Sequence, residues 1–219
     1  VADIYLAHAV QHGFRQTPGS QVSIAQAFQR AFRDAPPPVF SATDPLSLKQ
    51  CERLWWFDIV HNVFYRVGMF ERFDEFFEKV FQVFEDPGSW VLFPETHAVL
   101  ARLREEGFEL GIVSNFDSRL FPVMRGLGID QLFDTVTISS MARAAKPAPK
   151  IFRIALEKHA ADPNEAMHVG DSVRDDVEGA MKAGLTGVLL DRAGRSQASS
   201  GHVIRTLEEL LPLAMASKK

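Results

Sequence analysis

Apolar positions recur in two ways along the chain, and the change between them divides it. Through residues 1–12, 22–35, 47–68 and 72–84 they return every three or four positions, which predicts amphipathic helices, and no useful stretch before residue 83 alternates with period two. Pro36-Pro37-Pro38 and Asp44-Pro45 separate the second helix from the third, because proline lacks an N–H and drives its predecessor out of the helical region. The aromatic residues Trp55, Trp56, Phe57, Phe64, Phe73, Phe76, Phe77, Phe81 and Phe84 fall on this helical pattern. Such spacing belongs to packing between helices, with a substrate-facing wall as the alternative.

After Glu85-Asp86-Pro87-Gly88-Ser89, short apolar runs alternate with helical ones. Strands are expected at 108–113, 133–138, 166–169 and 186–190. Helices are expected at 94–107, from Asp117 or Ser118 to 127–128, at 149–159, from 173 to 181, and at 206–215 after a polar loop at 192–201. This alternation predicts an α/β fold, a Rossmann-like core with a mostly parallel sheet covered on both faces. The expected domains are a helical unit over residues 1–88 and the α/β core over 89–219.

With 219 residues, 46% of them hydrophobic, the chain can bury a substantial core. A net charge of −4 without a marked Lys/Arg cluster offers no field for nucleic acid or anionic lipid. Charges interrupt every apolar run short of a membrane span, and Val1-Ala2-Asp3 lacks the basic start of a signal peptide, so a cytoplasmic protein is the default expectation. Cys51, the sole cysteine, excludes an internal disulfide and is expected to be a buried structural thiol. The chain starts at Val1 with helical periodicity already running, so further residues are expected upstream.

Candidate chemistry gathers at strand ends. Ser114-Asn115, Lys146-Pro147 and Gly170-Asp171 each lie after a predicted strand, where open α/β sheets bind ligands. A hydroxyl beside backbone donors can hold an anionic oxygen, a lysine can neutralise a second oxygen, and a carboxylate can hold a hard cation such as Mg²⁺. Together they describe a phosphoryl site without a nucleophile. The acids after Gly170 can equally serve as helix caps, Asp117 reads as a helix N-cap or a loop orienter, and His168 as a structurally satisfied strand residue. The other histidines show no metal spacing.

In this order the residues resemble the haloacid dehalogenase-like (HAD) superfamily, in its phosphatase-like branch with a helical cap. Ile112-Val113-Ser114-Asn115-Phe116-Asp117 is similar to the second family motif, Lys146-Pro147-Ala148-Pro149-Lys150 to the third, and Gly170-Asp171-Ser172 through Asp176 to the fourth. Ala148 departs from the third, which usually carries an acid there. The resemblance implies that Ser114, Asn115 and Lys146 bind the phosphoryl group and that Asp171 and Asp176, with Asp175 adjacent, hold Mg²⁺. It implies a small phosphorylated substrate and an aspartyl-phosphate route. The first motif, Asp-x-x-x-Thr at the end of the central strand, is not found in these residues, so the nucleophile is expected upstream. A haloacid dehalogenase and a catalytically silent binding protein are the alternatives; neither substrate nor oligomeric state is legible.

Overall fold

The computed structural model describes residues 1–195 and 201–217. Its first part is helical: α1 (Ala2–Gln11), α2 (Ser20–Asp34), α3 (Pro45–Val67) and α4 (Phe73–Val83). The start of α3 follows from local chemistry. Asp44 accepts the Leu46 and Ser47 N–H groups at 3.1 and 3.0 Å, and Pro45 occupies the first turn, where its missing donor costs nothing. At the other end Gly68 takes φ 128°, a value a side chain would resist.

These helices enclose one aromatic cluster whose buried members run from Tyr5 to Val80. Phe64 meets Phe76 at 4.9 Å and Phe57 meets Phe77 at 5.0 Å, both edge to face. The expected helix–helix packing is therefore present. Cys51 is a free thiol but only half-buried, so the expectation of a buried one is corrected.

The second part contains α5 (Thr96–Glu105), β1 (Gly111–Ser114), α6 (Leu120–Gly126), β2 (Thr135–Ile138), α7 (Ser139–Ala142), α8 (Pro149–His159) and β3 (Met167–Gly170). It continues with α9 (Gly179–Ala183), β4 (Thr186–Leu190), β5 (His202–Ile204) and α10 (Leu210–Ser217). Every strand pair is parallel, as the alternating pattern required, but the strands form two sheets: β1 with β2, and β3 with β4 and β5. β5 and α7 were not anticipated, being too short to show a period. Residues 196–200 of the expected polar loop lie outside the described residues.

Burial differs sharply between strands. Val188 and Leu189 of β4, and Thr137 and Ile138 of β2, are buried. Ile112 and Val113 of β1, and Met167 and Val169 of β3, are only half-buried. What joins the sheets is α8, which packs on β1 and β2 while its Phe152 ring meets His168 of β3 edge to face at 5.0 Å. Among the described residues, no helix is long and apolar enough to cross a membrane.

Candidate active site

The carboxyl ends of β1 and β3 and the turn before α8 carry the residues singled out in the sequence. Ser114 is the last residue of β1. The next residue, Asn115, clasps the main chain of Lys146: its Oδ1 accepts the Lys146 N–H at 2.7 Å, and its Nδ2 donates to the Lys146 carbonyl at 2.9 Å. The Asn115 amide is thus committed to building the site, which leaves its backbone N–H as the group it can offer an anion. The Lys146-Pro147 peptide bond is cis.

Lys146 Nζ donates to Asp176 Oδ1 at 2.5 Å, with side chains 13% and 4% exposed. His168 Nε2 lies 2.9 Å from the same oxygen, and the Ser172 N–H donates to Asp176 Oδ2 at 2.9 Å. Burial alone would push the Asp176 carboxyl up; the His168 hydrogen bond, the Lys146 charge and the Ser172 N–H outweigh it and hold the group below the usual carboxylate range. Backbone geometry brings Asp176 inward. Val173–Glu178 forms a π-helical turn in which Val177 N donates to Ser172 O at 3.2 Å, and Ser172 Oγ accepts the Asp175 N–H. Gly170 is required at this point, because a Cβ there would sit 2.1 Å from Asp176 Cγ.

Asp171, between Gly170 and Ser172, is exposed, and its carboxylate has no hydrogen bond or ion pair among the described residues. Asp175 is half-buried. The Ser114 hydroxyl likewise makes no hydrogen bond among the described residues. The structure therefore brings together Ser114, Asn115, Lys146 and Asp176 through direct or adjacent contacts, and sets Asp171 one residue from that network. Among the described residues no group of three or more His, Cys, Asp or Glu is arranged to hold a metal ion. Mg²⁺ does not require one: it keeps several waters and is bound through one or two carboxylates plus phosphate oxygens. A partnerless Asp171 fits that donor set better than Asp176, whose oxygens already serve three donors.

Beyond Ser114, the loop meets the helical half. Asp117 does not cap α6 with its side chain; its Oδ1 accepts the Arg119 N–H and Nε at 3.0 and 2.9 Å, and its Oδ2 takes Arg119 Nη2 at 2.7 Å and the Trp56 indole N–H. Glu52 of α3, 2% exposed, accepts from both the backbone and the hydroxyl of Ser118. The loop-orienting reading of Asp117 is the one the structure supports. Glu52 was overlooked, although one signal existed: Glu52, Trp56, Ile59 and Val63 share one stripe of α3, and a carboxylate stands on an otherwise apolar face. Between the halves lies an apolar cavity lined by Tyr5, Trp56, Phe81, Phe84, Trp90 and Phe116, with Arg119 at its wall. Burial pushes the Tyr5 phenol up, against the opposing pull of Arg119.

A Rossmann-like parallel α/β scaffold with a hydroxyl, a half-buried lysine and an acid at its strand ends is the equipment of a hydrolase working at a charged group. Residues 2–184 match the hydrolase family described as haloacid dehalogenase-like hydrolase, and the chain belongs to that family. The mouse haloacid dehalogenase-like hydrolase domain-containing protein 3 is 31% identical over 97% of this chain and 86% of its own. A HAD phosphatase from Thermococcus onnurineus has the same fold with a TM-score of 0.65 and 25% identity, over 97% of this chain and 86% of that one. The L-2-haloacid dehalogenase of Xanthobacter autotrophicus shares the fold at a TM-score of 0.70 and 16% identity, over 98% and 92% of the two chains. Proteins that share this fold thus include a phosphatase and a dehalogenase.

Proposed function

We propose that this chain belongs to a Mg²⁺-dependent phosphomonoester phosphatase whose helical half, residues 1–88, acts as a cap over the α/β core, and whose small phosphorylated substrate binds between them. The observation that carries this reading is the pairing of unused and held groups at one edge: Ser114 and Asp171, whose side chains have no partner among the described residues, beside a Lys146 fixed by Asp176 and Asn115. The 25% identical Thermococcus phosphatase supports it. A dehalogenase acting on a carboxylate gains nothing from an unpaired acid at this position, since like charges repel.

In this reading the Ser114 hydroxyl and the Asn115 backbone N–H donate to one phosphoryl oxygen, and Lys146 neutralises another. Asp176 and His168 keep the ammonium aimed, and Asn115 keeps the lysine's backbone against the Ser114 loop. Asp171, with Asp175 or Asp176 as further acids, would hold Mg²⁺, which supplies charge neutralisation at the phosphoryl group. The aspartate that this route needs to attack phosphorus is not among the strand-end groups of the described residues.

The test uses the chain together with its upstream residues and an aryl phosphate. Hydrolysis should require Mg²⁺, and Lys146→Ala and Asp171→Ala should each lower kcat by about 10²-fold or more, as for loss of one group that stabilises transition-state charge. Activity indifferent to Mg²⁺ and to Asp171→Ala would remove the metal from the reading. Chloride release from a 2-haloacid would transfer the chain to the dehalogenases, and no turnover of either substrate would favour a binding role.

A further inference from the structure

The loop that follows Ser114 is gripped from both sides. On the core side, Asn115 clasps Lys146, and the Phe116 carbonyl accepts from Ser139 Oγ at 3.2 Å and from Ser140 N. On the helical side, the next three residues all reach α3 or α4. Trp56 donates its indole N–H to Asp117, and Glu52, one turn earlier, takes both donors of Ser118. Arg119 donates to the Phe81 carbonyl at 3.2 Å and stacks 4.0 Å over the Phe81 ring.

Two features of this grip do not serve packing. Glu52 is a buried acid with no cationic partner among the described residues, and a buried charge without an ion pair is costly where an apolar residue of similar volume is not. Among the described residues its compensation is the pair of hydrogen bonds from Ser118. The Asp117–Arg119 pair, 2% and 6% exposed, has one ring of the helical half on each flank, Trp56 at 5.2 Å from the guanidinium and Phe81 at 4.0 Å. Separating the halves would break the Ser118–Glu52, Trp56–Asp117 and Arg119–Phe81 contacts together, while Asp117 and Arg119 keep each other.

We propose that Glu52 and Trp56 are positioning residues: one turn of α3 holds residues 117–119 and through them fixes the Ser114–Phe116 segment, so that affinity for a phosphoryl group depends on the docked helical half. The proposal rests on the phosphatase reading of Ser114 and Lys146. Glu52 and Trp56 act on the anion site through the loop, by their hydrogen bonds to Ser118 and Asp117. They tie occupancy of the anion site to closure of the helical half, because whatever favours the ordered loop favours the docked state equally.

The experiment compares Glu52→Gln, which keeps shape but cannot accept from the Ser118 hydroxyl with its amide nitrogen, and Trp56→Phe, which keeps a ring but loses the indole N–H. Val63→Ala is the control; this residue is 1% exposed on the same helix and belongs to the aromatic cluster of the helical half. Inhibition of aryl phosphate hydrolysis by inorganic phosphate is measured in the full-length enzyme, together with hydrogen exchange at the Lys146 amide, which reports the far side of the loop through Asn115. Both positioning variants should raise the phosphate inhibition constant about 5- to 30-fold, the equivalent of one or two lost interactions, and speed exchange at Lys146. Val63→Ala should lower the melting temperature and change neither. Unchanged constants in both variants, or equal changes in Val63→Ala, would overturn the proposal. If the wild-type enzyme binds no phosphate, the phosphatase reading falls by itself. The exchange measurement then decides the proposal: faster exchange at Lys146 in both variants alone supports loop positioning, and unaltered exchange rejects it.

Discussion

Helices α1–α4 meet around Phe64, Phe76 and Phe77, and every buried residue of that cluster comes from within the four helices or the turns joining them. The α/β half packs differently. Among the described residues its strands fall into two sheets with half-buried β1 and β3, and these are linked by α8 and by a polar chain running Asn115, Lys146, Asp176 and His168. Aromatic burial is non-directional and tolerates small adjustments, so it suits a structural unit. A chain of charge-assisted hydrogen bonds has one geometry, so it suits a site, and it fails as a whole when one member is removed.

The contrast can be broken at Phe152, a fully buried residue of α8 whose ring meets His168. Phe152→Ala should destabilise the α/β half by about 3–5 kcal/mol, the range for deleting a buried ring, while Phe64→Ala should act with similar size on the helical half. Hydrogen exchange resolved by segment measures both, and equal loss of protection in the two halves for either variant would show a single cooperative core. Asp176→Ala comes next. It leaves the half-buried Lys146 ammonium without its acid and should cost about 3 kcal/mol in urea denaturation, with Lys146 exchange rising at the same time. Gly170→Ala should cost about 1–3 kcal/mol, since the new methyl overlaps the Asp176 carboxyl; an unperturbed melting temperature would mean the turn can yield.

A shallower effect is expected with pH. The Asp176 carboxyl is held below its unfolded value by His168, Lys146 and Ser172, so its contribution to stability is full above the unfolded pKa, about 3.9, and is lost as pH falls from there towards the folded value. Melting temperatures measured below about pH 4 should therefore drop less steeply in Asp176→Ala than in the parent protein. The smallest change is reserved for the surface. Arg102→Ala removes surface ion pairs to Glu105 and to Glu106 just beyond α5 and should shift stability by no more than about 1 kcal/mol.

Much of this organisation was legible from periodicity. The helices of the first half and the strand at Thr186–Leu190 match their expected bounds closely, because their apolar spacing is long or their runs continuous. The strand end at Gly170-Asp171 was legible because glycine and acid after an apolar run leave few alternatives. β5 and α7, at three and four residues, carry too little period to be seen. His168 read as a satisfied strand residue, and it is one; that its partner is Asp176 required a fold that places positions 168 and 176 side by side.

By itself, then, the chain's order of residues determined its two patterns and the identity of the strand-end groups, which depend on neighbours within a few positions, and the parallel sense of its strands, which follows from the helices alternating between them. Tertiary structure decided the rest. It assigned Asp176 to Lys146 and left Asp171 free, turned Asn115 into a clasp, and laid Glu52 and Trp56 against the loop after Ser114. Those pairings join residues up to 66 positions apart. No local propensity encodes such a distance; it is set by which buried polar groups find a partner once both halves have packed.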